Sequence, residues 1–414
     1  MITLLRLALR NAQRNVTRSL LTALTVSLGT MVLTVALAWI GGVFGEVLGT
    51  AADGAGHARV VDPEFAERES MMPLYEHVTG VTARVEALRA VPGVVDVVPR
   101  IVTGVTVSVG DEIGDVFALL FGAPTAYFRD RMGLEKAVIE GTFFPGASPK
   151  EILIGATLAK RSGLKPGDEV VLFGQTQDGS ISPIRGPVVG IVQTGTALVD
   201  QGAFVDLSRV QYLADTEDAA TEILVFTADR DDAETLAVAV AAHPAAAGLT
   251  VQPWHTRDPW AGILAIIGVV RTVLTATVVF ITALGVWNTM MMSVLERTSE
   301  IGVMRSMGLG RVETVFLFVV EATGIALLGG LFGVAVGGLG GWYLEVQGVT
   351  LGEKTVATFG SDIPLRTTLH GDMNADVAMT ALGLALVMAF VGAALPSLRA
   401  ALIQPVEAMR TRGR

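Results

Sequence analysis

Glu296 and Glu300 fall on one face of a helix in the segment ERTSEIGVMRSMGLGR, residues 296–311, with Arg297 three residues before Glu300 and with Ile301 and Met304 toward another face. Gly308 and Gly310 then stop the helix, as glycine does at C-terminal caps. Five of these sixteen residues are charged, yet the segment lies between two of the most apolar runs in the chain. Two readings fit. A connector that merely reverses the chain needs only a short Gly/Asn turn, whereas sixteen residues with polar and apolar faces suit a surface that docks on a partner. Docking is the reading adopted.

Residues that could carry chemistry of their own are sparse. The five histidines (His57, His77, His243, His255, His370) are scattered, and none has the His-x-x-x-His spacing that places two metal ligands on one helix face. No Gly-x-Ser-x-Gly elbow and no Walker A sequence occur; GVTLGEKT at 348–355 lacks the Gly-Lys pair and a preceding strand, and reads as a loop. The acidic run DRDDAE at 229–234 lacks the Gly and Glu spacing of a calcium loop and reads as a solvated helix start, where Asp complements the helix dipole. There is no cysteine, so disulfides, thiolate metal sites and Cys nucleophiles are excluded. The chain is not expected to be an enzyme by itself, and no catalytic, metal or cofactor site is assigned to it.

The elements that must position the 296–311 segment are apolar. Of the 414 residues, 51% are hydrophobic and only 17% charged, and the mean hydropathy is +0.56, well to the apolar side of soluble domains at about 25% charged. Four runs reach the roughly 20 residues that a bilayer-spanning helix needs: Leu20 to Leu48, Trp260 to Val294 with the single charge Arg271, Val315 to Leu344, and Val377 to Leu398. The first is about twice as long as a signal-peptide core of 7–15 residues, so an uncleaved anchor is expected. Arg6, Arg10, Arg14 and Arg18, then Arg297, Arg305 and Arg311, then Arg399, Arg410, Arg412 and Arg414 mark one side of the membrane; the 345–374 loop opposite has only Lys354 and Arg366. The positive-inside rule puts both termini and the 296–311 segment in the cytoplasm.

The expected fold is an α-helical membrane protein with four transmembrane helices and a mixed α+β extracytoplasmic domain inserted between helices 1 and 2. Its divisions are a cytoplasmic amphipathic helix (1–18), helix 1 (19–48), the α+β domain (49–258), helix 2 (259–294), the polar segment (295–312), helix 3 (313–344), an outer loop (345–374), helix 4 (375–398) and a cytoplasmic tail (399–414). The insert carries a net charge of −13 and the rest of the chain +3. That balance argues against nucleic acid, which requires clustered Lys and Arg. Within the insert, VTARVEALRAV reads as a helix that stops at Pro92-Gly93. VVDVVPRIVTGVTVSV, EILIG, GDEVVLF, PVVGIVQTG, AFVDL, TEILVFTA and LTVQP read as strands, and ATLAKRSGL and Asp231 to Ala242 as helices. Two small subdomains are expected.

The run NTMMMSVLERTSEIGVMRSMGLGR, followed by VFLFVVEATGIALLGGLFG, closely resembles the C-terminal signature of the FtsX-like and MacB-like permease superfamily of ABC transporters. LRLALRNAQRNVTRSLLTALTVSLG and LPSLRAALIQPVEAMR resemble the two ends of that family, so the resemblance covers essentially the whole chain, with 259–410 as the FtsX-like permease domain. It implies that the polar segment is a coupling helix seated in a groove of a separate cytoplasmic ATPase, with Glu296, Arg297, Glu300, Gly302, Arg305 and Gly308 at the motif positions. ATP and Mg would then belong to the partner ATPase and no cofactor to this chain.

Three further features are read from the residues. Arg6, Arg10 and Arg14 recur every four residues opposite Leu5 and Leu9, which describes a helix lying on the anionic inner leaflet or a plain topology signal. Gly329, Gly333, Gly337 and Gly341 form a G-x-x-x-G ladder that permits close approach of another helix, within the subunit or between subunits. Glu321 lies inside the third span, where a carboxylate normally faces a partner or cavity. A Glu stands at that place in the family motif, and a structural or coupling role is preferred to a proton relay.

The stretch from EGTFFPG to DLSRVQYL looks most like the lipoprotein-releasing (LolC/LolE) branch, in which a β-hairpin engages a periplasmic carrier. Here the candidate hairpin is Gln175 to Arg185, with Asp178 and Ser182, and it reads as short and polar. The resemblance implies a bacterial inner-membrane permease that works with a LolD-like ATPase, a second copy or a sister permease, membrane lipids, lipoproteins and a carrier. Release of lipoproteins toward the outer membrane is the expected activity. The same architecture also serves mechanical signalling to cell-wall enzymes without transport, and MacB-like export of drugs or peptides.

Overall fold

The computed structural model describes residues 16–108, 115–146, 148–257, 260–350 and 368–404. The expected N-terminal amphipathic helix, most of the 345–374 loop and the tail from 405 lie outside them. The chain divides into two compact units. One takes in the segments up to Gly45, Ala265–Thr350 and from Thr368 onward; the other is centred on Glu46–Leu264.

The first unit is helical. Its helices are α1 (Val16–Ala55), α2 (Trp260–Glu296), the short α3 (Thr298–Ser306), α4 (Arg311–Gln347) and α5 (Ala375–Leu402), and Val349–Thr350 pairs with Thr368–Leu369 in a short ladder. Four of these, α1, α2, α4 and α5, are long and apolar enough to cross a membrane. At 1.5 Å per residue the 40 residues of α1 extend about 60 Å, twice the hydrocarbon thickness of roughly 30 Å.

Small residues set the helix contacts. A Cβ built on Gly333 of α4 would stand 2.5 Å from the Ser27 carbonyl oxygen of α1, one on Gly329 2.5 Å from that of Ala23, and one on Gly337 2.9 Å from that of Met31. Gly341 continues the row against Ala38. The G-x-x-x-G ladder thus packs against the first helix of the same chain. Gly29 and Gly285 bring α1 against α2 at Thr282 and Thr25, Gly330 brings α4 against Ala385 of α5, and Gly392 brings α5 against Ala283 and Val286 of α2. Val26, Val286, Met290, Phe318, Ala322, Ala326, Ala389 and Ala393 fill the interior of this four-helix ring. Leu24, Leu28, Phe280, Phe332, Leu339 and Phe390 face outward, as spans surrounded by hydrocarbon require.

Among its described residues the second unit holds twelve strands: β1 (Ala58–Val61), β2 (Val78–Thr79), β3 (Asp96–Ser108), β4 (Asp115–Gly122), β5 (Val138–Gly141), β6 (Ile152–Gly155), β7 (Glu169–Gln175), β8 (Ile181–Val192), β9 (Gly202–Val205), β10 (Ala219–Ala220), β11 (Glu222–Phe226) and β12 (Thr250–Pro253). Ten of them form one sheet in the order β12-β1-β11-β3-β4-β9-β6-β8-β5, with β7 bridging β3 and β8. Through that bridge β3, β4, β9, β6, β8 and β7 close into a six-stranded barrel. Alternation fills it: Val105 and Val107, Val116, Ala118 and Leu120, Val170 and Leu172 are buried, while their neighbours point outward. The two expected subdomains are not separable, because β3 is long enough to pair with β11 at one end and with β4 and β7 at the other.

Candidate coupling site and domain surface

Arg297 is the only residue between α2 and α3, and the polar segment is shorter as a helix than the sequence suggested. Thr298 at its start donates its hydroxyl back to the Leu295 carbonyl at 2.7 Å. At the other end Met307 caps it and Gly308 takes φ 102°, a conformation that favours glycine. Beyond the turn, the Gly310 amide donates to Glu313 at 2.9 Å and opens α4.

The six motif residues do not share one surface. Gly302 is buried beside Ile301, inside the helical core. Arg297 reaches inward and its guanidinium meets the Glu321 carboxylate of α4 at 3.2 Å; the two side chains are 10% and 5% exposed. Glu296 pairs with Arg18 at the start of α1, and Arg305 donates to the Ile403 carbonyl just past α5. Glu300 and Gly308 are exposed, together with Val303, Met307 and Val312. A small cavity lies against the ion pair, its lining including Thr22, Met290, Ser293, Arg297, Glu321 and Ile325. The segment thus presents a face of Glu300 and aliphatic side chains and fastens itself to α1, α4 and the end of α5 by charge. Spacing in the sequence carries no sign of which charges turn inward, since Glu321 follows Arg297 by 24 residues.

The candidate hairpin is β7–β8, closed by a tight turn over Thr176 to Ser180 with the Thr176 amide donating to the Ser180 carbonyl at 2.8 Å. Asp178 accepts from the Thr176 hydroxyl and from the Ser180 amide, and these bonds hold its carboxyl below the usual carboxylate range. Its work is inside the turn. Ser182 pairs with Gly174, Gln175 with Ile181, and Arg185 with Val171; Gln175 and Arg185 are exposed.

The outward face of this hairpin is mixed: exposed Phe173, Ile181 and Pro183 share it with exposed Gln175 and Arg185. Phe117 of β4 and Phe173 of β7 both lie opposite Thr106 of β3, and Pro183 of β8 lies opposite Phe173, so these four residues form one row across the barrel wall. Phe117 is 62% and Ile181 74% exposed. These residues were missed because counting polar residues along the hairpin mixes its two faces; a period-two reading places Phe173, Ile181 and Pro183 on one side, together with Gln175 and Arg185.

Comparison with known proteins bears on both regions. Residues 19–243, more than half of the chain, match the model of the MacB-like periplasmic core domain, and residues 272–405 match that of the FtsX-like permease C-terminal. The chain belongs to this family of ABC transporter permeases. Its α/β unit lies between the first two long helices, consistent with the layout of the two family models. Among relatives, the lipoprotein-releasing system transmembrane protein LolC of Xylella fastidiosa (strain 9a5c) is 31% identical over 63% of this permease and 64% of its own length. LolC of Neisseria meningitidis serogroup B is 25% identical over 63% of this permease and 65% of its own length. The permease therefore spans just under two thirds of the length of these curated relatives. The crystal structure of the periplasmic region of MacB from Actinobacillus actinomycetemcomitans is similar at 16% identity, covering 50% of this permease and 92% of that chain with a TM-score of 0.36.

Proposed function

We propose that this permease is the membrane subunit of an ABC transporter that releases lipoproteins from the bacterial inner membrane toward the outer membrane. The drive is ATP hydrolysis on a separate, LolD-like cytoplasmic ATPase. In this reading α3 faces the cytoplasm and docks through Glu300, Gly308 and the neighbouring aliphatic side chains, while the α/β unit is periplasmic. The permease works as a pair, with a second copy or a sister subunit.

One observation carries the reading: charged side chains in and just before α3 tie this segment to the long helices, with Arg297 buried against Glu321 of α4, Arg305 of α3 on the Ile403 carbonyl just past α5, and Glu296 at the end of α2 paired with Arg18 of α1. A movement imposed on the exposed face of α3 is delivered to the spans rather than absorbed in a loop. Names of the relatives support lipoprotein as the cargo. On the α/β unit, the row of Phe117, Phe173 and Pro183 supplies an apolar surface for a soluble carrier. The same row suits a mechanical transmitter that switches a periplasmic enzyme and transports nothing.

The test is the ATPase rate of a LolD-like subunit on the permease in lipid nanodiscs, with and without triacylated lipoprotein. The proposal predicts a rate that responds to the permease, responds further to lipoprotein, and loses both responses in Glu300→Lys. A rate indifferent to the permease defeats the coupling; one indifferent to lipoprotein but responsive to the permease favours the transmitter.

A further inference from the structure

Glu222 opens β11 at the centre of a buried cluster that the coupling account does not use. Its side chain is 5% exposed. Arg100 of β3 bonds one carboxylate oxygen, Nε to Oε1, at 2.9 Å. The other, Oε2, accepts no hydrogen bond among the described residues and faces Arg59 of β1 at 3.5 Å and Arg257 at 4.0 Å. Arg59 is further held by Glu69, at 2.5 and 2.6 Å, and by Gln252 at 2.9 Å. Three guanidinium groups against two carboxylates leave an excess of positive charge in the protein interior. Such an excess must find other acceptors.

The acceptors are the last carbonyls of α1. Arg100 Nη1 donates to the Gly54 carbonyl at 3.0 Å and to the Tyr127 hydroxyl at 2.8 Å; Tyr127 in turn donates to Gly54; Arg257 Nη2 donates to the Ala55 carbonyl at 2.5 Å. A helix end exposes unbonded carbonyls and the negative end of the dipole, and α1 has no basic residue in its own last turn. Gly56, at φ 79°, then ends the helix. Arg257 has a second attachment, because its backbone carbonyl accepts the Ala261 amide at 2.9 Å in the first turn of α2. One residue is therefore hooked to the end of α1 and to the beginning of α2.

We infer that the Glu222 cluster is a rigid joint that clamps the end of α1 and the start of α2 to the sheet, so that both helices drive the α/β unit as one lever. Glu222 orients Arg100 and Arg257, the two guanidinium groups grip the α1 carbonyls, and the backbone of Arg257 passes the constraint to α2. The joint itself is a property of the chain alone; its use in transmission rests on the ATP-driven reading proposed above.

The experiment is amide hydrogen exchange on the full-length permease, read at residues 52–55, beside ATP-driven release of a triacylated lipoprotein from proteoliposomes that also hold the LolD-like ATPase. Arg257→Met is the main variant. Tyr127→Phe, which deletes one hydroxyl, serves if Arg257→Met fails to fold, and Arg59→Met removes a member of the cluster that touches no helix carbonyl. Arg257→Met and Tyr127→Phe are expected to speed exchange in the last turn of α1 at least tenfold, with exchange in β3 and β11 unchanged. Release is expected to fall at least fivefold while the ATPase rate stays within twofold of the wild type. Arg59→Met is expected to leave the exchange at 52–55 unchanged. Unchanged exchange in the first two variants, or equal loosening in Arg59→Met, overturns the joint; full release from a loosened helix end overturns its role in transmission. A wild-type permease without ATP-driven activity would defeat the transport reading, and the exchange comparison would still decide the joint.

Discussion

Arg297 and Glu321 form a buried ion pair at 3.2 Å that ties the start of α3 to the interior of α4. Both belong to the motif regions that suggested docking and coupling, and neither presents its charge to a partner. Removing one member of such a pair leaves an uncompensated charge, typically at a cost of about 3–5 kcal/mol, whereas replacing both with apolar side chains is often near neutral. Arg297→Met and Glu321→Met are each expected to lower the unfolding midpoint in detergent markedly, and the double variant is expected to recover most of the loss. Two neutral single variants would show that the pair holds nothing.

The glycine ladder allows a contrast within one helix. Gly333→Ala would place a methyl 2.5 Å from the Ser27 carbonyl, which is backbone and cannot swing aside. A loss of about 1–3 kcal/mol is expected from such overpacking. Gly324, on the same helix, has nothing within 4 Å of its Cβ position, and Gly324→Ala is expected to be neutral or to gain up to about 1 kcal/mol from helix propensity. Thermal unfolding of the two variants in one detergent checks the pair; equal effects would contradict the α1–α4 contact.

Acid should loosen the α/β unit through Glu222. Burial alone would raise its pKa, but Arg100, Arg59 and Arg257 outweigh that and hold it down at about 2, from an ordinary value of 4.5. Burial and the neighbouring Arg59 lower Arg257 to about 10, despite the attraction of Glu222. A carboxylate with a depressed folded pKa stabilises fully above its unfolded pKa and loses that contribution as pH falls from about 4.5 toward 2, here roughly 3 kcal/mol. Arg257 stays protonated throughout that window. The wild type is expected to lose stability between pH 5 and about pH 2 more steeply than Glu222→Gln, measured by denaturant titration across that range; parallel profiles would rule out the contribution.

Phe117 and Phe173 stand outward on the barrel wall, so Phe117→Ser with Phe173→Ser is expected to leave the unfolding midpoint almost unchanged, within about 0.5 kcal/mol per site. The double variant should lose at least tenfold in affinity for a periplasmic lipoprotein carrier, read by titration calorimetry. Unaltered carrier binding would take the docking role away from this face.

How much of this could be read from residues alone depends on range. The four long helices were legible, because hydrocarbon thickness imposes a length that composition reveals, and the strand runs from Asp96, Glu169 and Glu222 were placed by local signals. Long-range pairing was not. The ladder Gly329 to Gly341 announces close approach without saying whose backbone approaches, and only the contacts with Ala23, Ser27 and Met31 answer that. Arg297 and Glu296 looked like surface charges because helical spacing reports faces and not what lies opposite them. Phe117 and Phe173 meet across β3, and Glu222 meets Arg59, Arg100 and Arg257 from three other segments; no local pattern encodes either meeting.

The central claim is that the exposed face of α3 couples ATP hydrolysis to lipoprotein release. It is tested most directly in proteoliposomes containing the permease, a LolD-like ATPase and a triacylated lipoprotein, by following transfer to a soluble carrier with and without ATP. The account predicts transfer that requires ATP and is lost in Glu300→Lys, with the unfolding midpoint of the variant measured alongside to show that it is folded. Transfer without ATP, or undiminished transfer in Glu300→Lys, would contradict it.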